Sequence, residues 1–179
     1  MRKSFFKLAA LAAVTGALSQ GAMAVDGNIN FTGEIVDAPC SISPNSQNMT
    51  VPLGKVARTV LDGGVGRKAT PARFTIDLLS CGASATGATV SFDGALDLDD
   101  PTNLRLANAG QVGVAAATGV AIELGDSAAN KIPFGSESAE YVLGQGDNAL
   151  QFQAVYVSTR DTVTVGPANS TAQFTVNYK

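Results

Sequence analysis

Cys40 and Cys81 are the only two cysteines in the chain, and there is no histidine. The forty residues between them rule out a CxxC redox pair or a paired-cysteine zinc site. Without histidine there is neither a Ser–His–Asp triad nor a His-based metal site. Asp97, Asp99 and Asp100, in ALDLDDP, come closest to an ion-binding cluster. Their spacing lacks the glycine and the bidentate glutamate of an EF-hand loop, so they read as a solvated acidic turn. The other carboxylates are scattered, with no recognisable acid–base pair. No glycine loop of phosphate-binding type opens a helix. Asn48-Met49-Thr50 and Asn169-Ser170-Thr171 match the glycosylation triplet, a pattern weak enough to arise by chance on a Thr-rich chain. The expectation is a protein that is not an enzyme and needs no cofactor or metal.

The compartment follows from the first 24 residues. Arg2, Lys3 and Lys7 make a positive start, Leu8 to Leu18 is a short apolar run, and Ala22-Met23-Ala24 supplies small residues for cleavage. Together these predict a secretory signal peptide over 1–24 rather than a membrane anchor or buried helix. Cys40 and Cys81 then meet an oxidising compartment and should form a disulfide, not two thiols. Removing the signal removes three of the twelve basic residues and none of the fifteen acidic ones, leaving a net charge of −6. That balance argues against nucleic acid or an anionic membrane as a partner. No other apolar run nears the roughly 20 residues needed to cross a bilayer, so no membrane insertion is expected.

The elements that must position these residues are strands. Phe74, Ile76 and Leu78 alternate with polar neighbours, as do Ala88, Val90 and Phe92. Leu104 and Leu106 flank Arg105, and Val120, Ile122 and Leu124 alternate with Ala121 and Glu123. Leu150, Phe152, Ala154 and Tyr156 alternate with Gln151, Gln153 and a weaker outward Val155; Ala172, Phe174, Val176 and Tyr178 close the chain. Val51-Pro52-Leu53 reads as a short edge segment because Pro52 cannot donate to a ladder. Gly63-Gly64 is a turn signal. Period-2 runs bounded by Gly, Asn, Asp and Pro predict six or seven strands in a two-sheet, immunoglobulin-type sandwich. Leu78 and Leu79 put Cys81 on the opposite parity from Phe74; a bulge or a strand end near Leu79 would reconcile them.

Val25 to Val36 stands apart. Gly27, Ile29, Phe31, Gly33 and Ile35 fall on one face, with Asp26, Asn28, Asn30, Thr32 and Glu34 on the other. A strand at the start of the mature chain has no hairpin partner, so it is either a liability or a tool for pairing with another chain.

Four segments carry a resemblance: FTGEIVDAPCSI around Cys40, TVPLGKV from Thr50, LQFQAVYVST from Leu150, and the ending AQFTVNY. With the Cys40–Cys81 spacing, they make the chain resemble the major pilins of the chaperone–usher pathway, in particular type 1 and mannose-resistant Proteus-like subunits. The resemblance spans the mature chain and is least diagnostic over 95–147.

The resemblance implies an all-β fold, an incomplete immunoglobulin-like sandwich missing its last strand and completed by a donor strand from a neighbouring subunit. It divides the chain into signal peptide 1–24, donor extension 25–36 and pilin domain 37–179. Gly27, Ile29, Phe31, Gly33 and Ile35 would form the donor face, with Gly33 where the groove is tight. Burying Ile29, Phe31 and Ile35 would contribute on the order of 5–9 kcal/mol. Phe174, Val176 and Tyr178 would be the strand that a periplasmic chaperone contacts before an outer-membrane usher exchanges it for the next subunit. The implied function is a structural subunit of a surface fimbria of a Gram-negative bacterium. A minor adaptor subunit and a monomeric sugar-binding sandwich are the alternatives. The second lacks an aromatic platform, since there is no tryptophan.

Overall fold

The computed structural model describes residues 27–35, 38–109, 113 and 116–179. The expected signal peptide lies outside the described residues. The chain divides into two units, Met1–Val36 and Asp37–Lys179. In the first, residues 27–35 carry no regular secondary structure.

Among its described residues the second unit has nine strands and two single-turn helices. They are β1 (Ser41–Ile42), α1 (Pro44–Gln47), α2 (Arg58–Leu61), β2 (Ala72–Cys81), β3 (Gly87–Asp93), β4 (Leu104–Arg105), β5 (Val120–Asp126), β6 (Lys131–Ile132), β7 (Tyr141–Val142), β8 (Gly146–Ser158) and β9 (Gln173–Tyr178). One sheet has the order β1-β2-β8-β5-β4, with β6 also on β5; the other is β7-β3-β9. Every pairing is antiparallel.

The alternation read from sequence is what closes the core. Phe74 and Ile76 of β2 lie opposite Phe152 and Leu150 of β8. Phe92 of β3 stands edge-on to Phe152, 5.2 Å between centroids, and with the Phe74–Phe92 and Tyr141–Phe152 contacts it joins the two sheets. The Leu78–Leu79 parity clash resolves as a bulge: the β2–β8 register shifts between Leu78 and Cys81. Ser80, at φ 54°, absorbs the extra residue, and its N–H donates to Asp147 Oδ1 at 2.9 Å. Cys81 thereby turns inward and is bonded to Cys40.

Several expectations are corrected. Val51-Pro52-Leu53 forms no strand. Ala121, Glu123 and Val155, assigned to an outer face, are buried. Segment 67–69 pairs along the free edge at the end of β8: Lys68 bridges to Val157 and the Ala69 N–H donates to the Tyr156 carbonyl. Glu123 is buried as one member of a charge network, 2.5 Å from Lys68 Nζ and 3.7 Å from Lys131 Nζ. The two-residue strands β1, β6 and β7 were not anticipated, being too short to show a period.

Gly119, which leads into β5, has φ +71°, and a Cβ there would stand 2.5 Å from the Thr162 carbonyl oxygen. Gly119→Ala should therefore destabilise the domain by about 1–3 kcal/mol through strain and a backbone clash. Urea unfolding reads this directly, and an unchanged midpoint would count against it.

Candidate functional site

The three-stranded sheet ends on an open edge. β9 pairs with β3 on one side, and on its other side no strand pairs with it among the described residues. The Lys179 N–H donates to the Gly87 carbonyl at 2.8 Å, which sets the phase of the β3–β9 ladder. Bonding alternates along an antiparallel strand, so the main-chain groups of Phe174, Val176 and Tyr178 face the open edge. Their side chains tell the same story. Phe92, Val90 and Ala88, opposite them on β3, are buried, whereas Phe174, Val176 and Tyr178 are only half-buried. The inward face is covered on one flank and bare on the other.

Where β9 begins, at Gln173 and Phe174, a groove of about 600 Å³ opens. One wall is Met49–Gly54, the other Ala168–Phe174; Phe74, Phe92, Ile122, Leu124 and Tyr156 make much of the floor. The walls are held differently. The second is pinned: the Tyr156 hydroxyl donates to the Ala168 carbonyl at 2.7 Å, Ser170 Oγ to the Arg105 carbonyl at 2.6 Å, and the Ala107 N–H to the Asn169 carbonyl at 2.7 Å. Burial pushes the Tyr156 hydroxyl pKa up, so it remains a donor through neutral pH. No such tie holds the first wall among the described residues; Met49, Val51, Leu53 and Val56 pack on the core.

The groove has an apolar floor and meets the unpaired edge of β9 at Gln173 and Phe174. It can take an extended peptide, with main-chain bonds for affinity and pockets for alternate side chains. Sequence reasoning placed Phe174, Val176 and Tyr178 on the last strand, where they are found. It assigned no role to the 168–172 wall or to Ser170, whose hydroxyl holds that wall in place. The signal available was TVPLGKV, an extended, proline-bearing segment with no ladder partner of its own.

In the first unit, Ile29, Phe31 and Ile35 are 79 %, 89 % and 100 % exposed, and Gly27 and Gly33 are exposed with them. These are large apolar side chains left bare at alternate positions. No strand forms there because a strand is defined by a partner. The acidic turn has its carboxylates engaged within the domain. Asp97 Oδ1 accepts the N–H groups of Asp99 and Asp100, and Asp99 holds Arg160 through two bonds of 2.7 and 3.0 Å. Asp100 bonds Thr102 and Asn103, and the Thr102 side chain is the main cause lowering its pKa.

An all-β sandwich with one strand position vacant defines an incomplete immunoglobulin-like domain of the pilin class. The fimbrial protein family profile matches residues 29–179, and the chain belongs to that family. It is similar to the long polar fimbria protein A of Salmonella typhimurium, with 38 % identity over all of this chain and 98 % of that one. A type I fimbria protein of Burkholderia pseudomallei is 38 % identical at a TM-score of 0.61, covering 85 % of this chain and 97 % of that one. A solved chaperone–usher pilus aligns at a TM-score of 0.70 and 26 % identity, over 87 % of this chain and 96 % of that chain. The chain is a structural subunit of a surface fimbria, and subunits of this kind polymerise into the pilus fibre.

Proposed function

We propose that subunits join by donor-strand exchange: residues 25–36 of one copy fill the groove beside β9 of the next. The observation that carries this is the pairing of a vacant strand position with an exposed apolar extension in the same chain. Donor and groove are different surfaces, so the contact is heterologous and generates an open filament wherever the rotation does not close. Running antiparallel to β9, the extension places Ile35 at the Ala168–Phe174 end, with Gly33, Phe31, Ile29 and Gly27 following towards Tyr178. Each docked strand adds modest hydrogen bonds and three buried anchors. Persistence of the fibre then rests on slow strand withdrawal.

The same open edge makes the monomer an aggregation hazard before assembly. A periplasmic chaperone lending its own strand to Phe174, Val176 and Tyr178 covers it, and an outer-membrane usher carries out the exchange. The route is therefore signal peptide, periplasm, cell surface. Cys40–Cys81 forms on the way.

Assembled material from this chain, run unboiled in detergent, should give a ladder of bands spaced by one subunit that collapses to monomer on boiling. A single monomer band under both conditions would overturn the reading.

A further inference from the structure

The geometry points to Lys55 as the residue that reads Glu34 of the incoming extension, forming a charge pair between successive copies at the mouth of the groove. This pairing presupposes the donor role proposed above.

The charges are sparse enough to be informative. Every residue lining the groove, from Met49–Gly54 on one wall to Ala168–Phe174 on the other, is uncharged. Lys55 is the first charge past the first wall. It is exposed and makes no ion pair among the described residues, unlike Lys68, Lys131 and Lys179. Arg160, in the segment leading to the second wall, is already committed to Asp99. Arg58, exposed three residues beyond Lys55, extends the same positive field. On the other side of the contact, Glu34 is the single charged residue between positions 27 and 35. It too is exposed and without an ion pair among the described residues.

Chain direction brings the two together. The Tyr178 hydroxyl, at the end of β9, approaches the Cys40 carbonyl at 3.5 Å. The Gly63 N–H reaches the Asp161 carbonyl at 2.8 Å, in the segment that precedes β9. Between residues 40 and 63 the chain therefore travels from the end of β9 back towards its start, and Lys55 comes late on that path. An extension antiparallel to β9 runs parallel to Met49–Gly54. Its last residues, Glu34 and Ile35, arrive at the end of the groove where Lys55 stands. With Ile35 facing in, Glu34 faces out, where an ammonium group can meet it. A pair of this kind adds little affinity, but it steers encounter, fixes register and disfavours wrong partners.

The test uses the chain from Val25 in four forms: wild type, Lys55→Glu, Glu34→Lys and the double reversal. Each is diluted from denaturant, and the growth of the unboiled ladder is followed with time. At low salt each single reversal should slow growth by about two- to fivefold, the range of an exposed pair. The double reversal should return to the wild-type rate. At about 1 M salt, where the screening length is about 3 Å, all four should converge. Equal rates for all four at low salt would overturn the pairing while leaving the donor reading intact, provided that a chain lacking 25–36 forms no ladder. A ladder from that truncated chain would overturn the donor reading and the pairing with it.

Discussion

Deletion of residues 25–36 should abolish the detergent-resistant ladder and leave only monomer, and the single change Gly33→Leu should do nearly the same. The two variants fail for different reasons. The deletion removes Ile29, Phe31 and Ile35, hence on the order of 5–9 kcal/mol of burial at each junction, with the hydrogen bonds of one strand. Gly33→Leu keeps the anchors and adds a side chain on their face. In the free chain a Cβ at Gly33 meets nothing within 4 Å, so the substitution leaves the unassembled subunit unstrained. Its effect appears only on docking. With Ile35 at the open end, Gly33 falls near Phe174 and Phe92, and there a leucine must displace rings packed into the core. Overpacking of that sort costs typically 1–3 kcal/mol at equilibrium and obstructs the strand as it zippers in. The expected pattern is unaltered unfolding of the monomer, retained chaperone binding through β9 and no fibre. Normal fibres from Gly33→Leu would show that the register is wrong; normal fibres from the deletion would remove the donor role altogether.

What could be read from sequence, and what could not, follows from how many faces a residue reports. Phe74, Ile76 and Leu78 alternate because only one side of β2 is covered, and the period gives the strand. The doubled Leu78-Leu79 then marks a place where the period must slip, and the bulge at Ser80 is that slip. The end of β8 is flanked by segment 67–69, brought there by contacts distant in sequence, and its Lys68 side chain reaches Glu123 of β5. Ala121 and Val155 show nothing of it locally. Glu123 reads as an outward charge, and its burial depends on Lys68, fifty-five residues away. The groove is harder still, because a vacancy has no residues of its own. It was legible only through an unpartnered alternating extension and the family resemblance; that the inward side chains of the last strand are half-buried emerged only with the structure. The uneven tethering of the walls needed coordinates, since nothing in TVPLGKV or in Asn169-Ser170-Thr171 distinguishes a pinned segment from one held by packing.

That unevenness sets the expected consequence of breaking Cys40–Cys81. The first groove wall leaves the disulfide at Cys40, passes β1 and α1, and reaches Met49 with few ties to the rest of the domain. Among the described residues the ties are the Tyr178 hydroxyl 3.5 Å from the Cys40 carbonyl, the short β1–β2 ladder, the Ser43 N–H donated to the Asp77 carbonyl at 2.9 Å and Ser46 Oγ accepting the Asp77 N–H at 2.9 Å. Beyond them the wall depends on apolar packing. A bridge closing a loop of this length is worth about 4 kcal/mol in the chain-entropy account, and loss of a native one costs about 2–5 kcal/mol. Against the 5–15 kcal/mol typical of whole domains, that is a large fraction, and the sandwich already lacks one strand. The unassembled Cys40→Ser/Cys81→Ser subunit should lose on the order of 5–20 °C in Tm, and reductant should lower the wild type by a similar amount. Hydrogen exchange should locate the change. Protection should fall first at Ser41–Ile42 and Ser43, while β5 and the bodies of β2 and β8 keep theirs, because only the Cys81–Gly146 end of the β2–β8 ladder touches the bridge. Assembled fibres should resist the same reductant if, as proposed, a docked strand lies against this wall and supplies it with main-chain partners. Equal reductant sensitivity in fibre and monomer would mean that the wall is held by something other than the bridge and the docked strand.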